Sequence, residues 1–110
     1  MINVVVRDKY LETLNTLGDI QSAVDAALER YTIEQILGKI EALRAQQNVY
    51  ETKYGMDYGT FAEHVAQDAT FARTLEARGN KTWEADLLDW EFCAKGIEDW
   101  KRRLQKFLLE

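Results

Sequence analysis

The order of apolar and polar positions divides the chain into one short extended segment followed by helices. Residues 1–7 read Met-Ile-Asn-Val-Val-Val-Arg, and three consecutive β-branched valines disfavour helix and suit a strand. After Arg7 the spacing changes. Tyr10, Leu11, Leu14 and Leu17 recur at intervals of three and four, the period of a helix face, with Asp8 as its expected cap and Gly18 as its stop. Asp19 is the expected N-cap of the next helix, whose first apolar stripe is Ile20, Ala23, Val24, Ala27, Leu28 and Tyr31. The stripe continues through Ile33, Ile36, Leu37, Ile40, Leu43, Tyr50 and Tyr54, a heptad-like seam weakened by Gln47. Thr32 and Gln35 have the spacing of a capping box, which allows a restart there. Nothing between Tyr31 and Ile36 breaks a helix, so the reading favours one continuous helix as far as Gly55. Two short helices follow. One is capped by Asp57 and carries Tyr58, Phe61, His64 and Val65. The other runs from Asp68 to Arg78 with Phe71 and Leu75 turned inward, and Gly79-Asn80 ends it. Thr82 then caps a long final helix with the seam Trp83, Leu87, Trp90, Ala94, Ile97, Leu104 and Leu108, Trp100 lying beside it.

The predicted fold is therefore mainly α: a short N-terminal β-strand, helices, and a long C-terminal helix. A strand of this length is not stable alone, and no second strand-like segment occurs in the chain. The simplest partner is the same strand of a second copy, which predicts a homodimer. The 110 residues contain no proline and are 46% hydrophobic and 30% charged, a folded and helix-favouring composition.

The formal charge is −5, so no basic surplus advertises nucleic acid or an anionic membrane. Glu84, Asp86, Asp89 and Glu91 crowd the start of the final helix. An acidic segment with aromatics is suited to a basic partner protein, and equally to a solvated helix face. No run approaches the ~20 apolar residues of a membrane span, and no signal peptide is visible, so the expected compartment is the cytoplasm.

Candidate chemistry is sparse. The single His64 and the single Cys93 fall on separate helices, with no nucleophile-type turn around the cysteine. Two such residues are too few for a zinc site, and the six glycines are scattered rather than gathered into a phosphate loop. The expectation is a protein that binds partners, without cofactor, metal or enzymatic activity. Trp83, Trp90 and Trp100, with Asp86 and Glu91, are candidate partner-binding residues. The same tryptophans also fit the core of a hairpin with the preceding long helix.

Asn3-Val4-Val5-Val6-Arg7, then Leu11, Leu14, Leu17-Gly18-Asp19-Ile20 and the stretch Ala23-Val24-Asp25-Ala26-Ala27-Leu28-Glu29-Arg30-Tyr31 together resemble a ribbon-helix-helix domain, the fold of the Arc and MetJ repressors. The rest of the chain, notably Lys53-Tyr54-Gly55-Met56 and the Trp-bearing acidic helix, resembles small prokaryotic antitoxins in general character. The resemblance implies a dimerising and DNA-binding region over residues 1–45 and a partner-binding helical region over 46–110. It implies an antitoxin-like regulator that binds operator DNA and a toxin protein.

Strand alternation puts Ile2, Val4 and Val6 on one face and Asn3, Val5 and Arg7 on the other. In such a ribbon Asn3 would meet an adenine edge, Arg7 a guanine edge and Val5 a thymine methyl. The start of the second helix, with Gln21 and Ser22, would offer N–H groups to a phosphate. Val5, where the family commonly has a polar residue, and the anionic Asp19 depart from that pattern. A strand that only dimerises, in an assembly protein without a nucleic-acid role, is the alternative.

Overall fold

The computed structural model describes residues 2–110 and is mainly α, with five helices. They are α1 (Asp8–Leu17), α2 (Ile20–Tyr54), α3 (Tyr58–Gln67), α4 (Ala69–Ala77) and α5 (Trp83–Leu109). Among the described residues there is no strand. Residues 2–7 carry no regular secondary structure, although Arg7 has extended dihedrals, φ −68° and ψ 145°. A lone extended segment has no ladder partner within its own chain, so the expected pairing is not seen in a single copy.

The chain divides into two compact units, Met1–Gln35 and Ile36–Glu110. The sequence reading placed Ile36 and Ile40 in its N-terminal region, but both are core residues of the second unit.

Helix boundaries follow the capping chemistry in most places. Gly18 adopts φ 142° and ψ −155°, a backbone that side-chain-bearing residues rarely enter, and it separates α1 from α2. Asp8 is not the cap that its position promised. It lies in the first turn of α1, where its charge suits the helix dipole, while Arg7 holds the cap position without a side-chain bond. Thr32 does not restart a helix. Its Oγ1 donates to the Leu28 carbonyl at 2.7 Å, and α2 runs unbroken for 35 residues.

Asp57 and Asp68 cap α3 and α4 by accepting from the backbone N–H groups of Thr60 and Thr70 at 2.7 and 3.0 Å. Gly79 and Asn80 end α4 in a Schellman turn, with Asn80 N–H donating to the Leu75 carbonyl and Gly79 N–H to that of Glu76. Thr82 stands at the start of α5, but its hydroxyl makes no cap bond.

The second unit holds two apolar clusters. Ile36 and Ile40 of α2 meet Ile97 of α5, flanked by Leu43, Trp100 and Leu104. Phe61 of α3, Leu75 of α4 and Trp90 of α5 form the other, surrounded by the C-terminal end of α2 through Tyr50 and Tyr54. Two long helices thus pack on each other at one end and on the two short helices at the other. In the first unit no described residue is buried.

Candidate functional site

Among the described residues of the first unit no apolar side chain is fully buried. Ile2, Val4 and Val5 are 83 to 90% exposed, and Leu17, Leu28 and Tyr31 are largely exposed as well. Val6 is half-buried; Asn3 and Arg7 are exposed, as base-reading side chains must be.

The start of α2 departs from the expected phosphate cradle. Asp19 Oδ2 accepts from both the backbone N–H and the hydroxyl of Ser22, each at 2.9 Å. These bonds hold the Asp19 carboxyl below the usual carboxylate range. Gln21 Nε2 donates to Asp25 Oδ1 at 2.9 Å. Of the expected phosphate donors, the Ser22 N–H and the Gln21 side chain thus meet the chain's own carboxylates.

In the helical unit the acidic residues of α5 face inward more than their sequence promised. Lys53 Nζ and Tyr54 Oη donate to Asp86 Oδ2 at 2.6 and 2.5 Å. Burial works against the Asp86 charge, but the bonds from Lys53 and Tyr54 and the Lys53 charge outweigh it, and its carboxyl lies below the ordinary value. Asp89 accepts from Tyr50 Oη and, at 2.6 Å, from Gln46 Nε2. The Asp89 bond, then burial, push the Tyr50 hydroxyl up to about 12; Tyr54 is raised further, by burial first and by its bond to Asp86 second. These two Tyr–Asp pairs join α2 to α5 along the seam.

The predicted partner-binding residues therefore separate. Trp90 is fully buried, with Tyr50 and Tyr54 stacked on it at centroid distances of 5.8 and 5.9 Å, and cannot touch a partner. Among the described residues its Nε1 has no hydrogen-bond partner. Asp86 is committed to Lys53 and Tyr54. Trp83 is half-buried against the Phe61 cluster and donates to Glu76. Glu91 pairs with Lys95 at 2.7 Å. Trp100 keeps a partly open ring, with the Arg103 guanidinium 5.0 Å from its centroid.

Leu88 and Phe92, which the seam reading left out, are 67% and 66% exposed. Phe92, Ala42, Leu43, Gly96 and Trp100 line a groove between α2 and α5, edged by Lys39, Asp99 and Arg103. Their four-residue spacing on the side opposite the seam was the available signal.

His64 is exposed and stacks on Phe71. Cys93 is buried in α5, and burial followed by the nearby Asp89 charge pushes its thiol up, away from the reactive thiolate. Among the described residues no group of three or more His, Cys, Asp or Glu is placed to hold a metal. No described helix is long and apolar enough to cross a membrane. No protein-family model, curated protein or solved structure matches the chain.

Proposed function

We propose that the protein is a homodimeric DNA-binding regulator of ribbon-helix-helix type, its N-terminal segment pairing with that of a second copy. One observation carries this reading: the N-terminal unit buries no described residue, while it exposes apolar side chains within residues 2–5 and on both helices that follow. Apolar surface left open on this scale marks an interaction face. A second strand would satisfy the backbone groups of residues 2–7 and cover Ile2, Val4 and Val6. Asn3, Val5 and Arg7 would then lie together on the outer face of a two-stranded ribbon, the form that enters a major groove. An antitoxin-type role, with a toxin protein as a further partner, extends this reading through the resemblance.

A gel-shift titration on the DNA just upstream of the gene, with light scattering alongside, tests it. The reading requires a mass above the 12.8 kDa monomer and a saturable shift that Asn3→Ala and Arg7→Ala both lose while remaining folded. The affinity should fall as salt is added. A monomer under these conditions removes the ribbon altogether.

A second reading, an assembly protein whose N-terminal segment only dimerises it, is favoured by the charges. Within residues 1–25 the acids Asp8, Glu12, Asp19 and Asp25 outnumber the bases Arg7 and Lys9, and the Ser22 N–H and hydroxyl and the Gln21 amide are bonded to Asp19 and Asp25. A confirmed dimer that shifts no DNA at low salt selects this reading.

A further inference from the structure

The helical unit leaves one face of α5 uncovered, and the charges along that helix are divided. Leu88 and Phe92 stand exposed one turn apart, beside the groove whose floor includes Leu43, Gly96 and Trp100. Gly96 has no side chain, and a Cβ there would stand 2.9 Å from Leu43 Cδ1, so the Leu43 side chain of α2 packs directly onto the Gly96 backbone and the two form the floor of the groove. Toward the N-terminal end of α5 lies Glu84, which makes no ion pair among the described residues. Toward the other end come Arg102, paired with the exposed Asp99, and Lys106, which like Glu84 makes no ion pair among the described residues.

Such a helix is complementary to itself run in reverse. A two-fold axis sets residue i against j and j against i. If Phe92 of one copy is set over Gly96 of the other, helical spacing puts Leu88 level with Trp100 and brings Glu84 to about two residues' rise from Arg102, these two charges lying on one flank. We infer that a second copy of the chain covers this face, its α5 antiparallel to the first, with Phe92 of each copy seated over Gly96 of the other. The occupant that the groove calls for, exposed apolar side chains next to an unpaired acid, is already present on α5. The other acids of that segment, Asp86, Asp89 and Glu91, are held by Lys53, Tyr50 and Lys95 and are not free for a basic partner.

This interface belongs to the helical unit and does not depend on the N-terminal ribbon. Light scattering on full-length protein at micromolar concentration separates the two. The set is wild type, Val4→Asp, Phe92→Arg and the double variant, each shown by circular dichroism to keep its helicity. Val4→Asp disables the ribbon and is expected to stay above 12.8 kDa, while the double variant falls to the monomer mass. In the Val4→Asp background, Glu84→Arg should weaken association about tenfold, and adding Arg102→Glu should restore it.

A monomeric Val4→Asp protein overturns the inference and leaves the ribbon reading standing. A Phe92→Arg protein that is monomeric supports the α5 interface and removes the ribbon instead. Association that survives in the double variant, or that ignores both charge reversals, overturns the antiparallel arrangement.

Discussion

Tyr54 donates its phenol to Asp86 Oδ2 at 2.5 Å, and the same oxygen takes Lys53 Nζ at 2.6 Å. One carboxylate on α5 thus holds two side chains that leave adjacent positions of α2. Asp86 is largely enclosed, with 16% of its side chain accessible, so both bonds act with little competition from water. Hydrogen bonds to a charged group contribute about 1.5 to 3 kcal/mol. Asp86→Ala should therefore lower unfolding stability by about that amount, since it also leaves the Tyr54 hydroxyl without its acceptor. Tyr54→Phe should cost less, because Lys53 still neutralises the acid. Urea unfolding followed by circular dichroism measures both.

The titration of the same groups sets the pH range of stability. Asp86, with the helix caps Asp19, Asp57 and Asp68, has a carboxyl held below its ordinary 3.8 in the folded protein. A depressed folded value means stability that is present above pH 3.8 and lost as pH falls through the folded values. Tyr50 works in the opposite direction. Raised from 10.0 to about 12, it contributes stability that is full below pH 10 and lost between 10 and 12. Urea midpoints should be flat near neutrality and fall at both ends. Asp86→Asn should flatten the acid limb. A phenolate titration by ultraviolet absorbance should show Tyr50 and Tyr54 ionising well above the ordinary phenol value of 10.0.

The helices were legible in the sequence because their signals are local. Asp57, Asp68, Gly55 and Gly79 each act within a turn of their own position, and each ends or starts a helix where its chemistry predicts. Asp8 failed because Arg7 and Asp8 compete for one position, and a single residue of drift turns a cap into a first-turn acid. The partner-binding residues were less legible. Trp90 lies in the seam by spacing and Trp100 beside it, but only packing decides that Tyr50, Tyr54, Tyr58 and Phe61 enclose the first and leave the second partly open. Asp86 and Asp89 looked like free surface charge because their partners, Lys53 and Tyr50, lie more than thirty residues away along the chain.

Trp90 is the residue on which the second cluster depends. Tyr50, Tyr54, Tyr58 and Phe61 all lie within 6 Å of it by ring centroids. Replacing a buried tryptophan by alanine costs about 3 to 5 kcal/mol. Trp90→Ala should therefore leave the helical unit largely unfolded, with lost helicity and a Cys93 thiol that reacts at once with a disulfide reagent. Trp90→Phe keeps an aromatic body and removes an N–H that has no acceptor. It should cost clearly less, and native protein carrying it should keep Cys93 unreactive.

Asp19 combines two effects that a pair of substitutions separates. As a cap it accepts the Ser22 N–H and starts α2, and Asp19→Ala should lower the urea midpoint. As a charge it opposes any phosphate approaching that helix end, where an anion interacts by about 0.3 to 1 kcal/mol. Asn is as good a cap as Asp but carries no charge. Asp19→Asn should therefore leave the urea midpoint nearly unchanged. If the start of α2 faces the DNA backbone in the proposed complex, it should tighten DNA binding by about two- to fivefold at low salt. An unchanged affinity, in a protein whose stability is also unchanged, would place the phosphates away from α2 and leave the outer face of the ribbon as the contact.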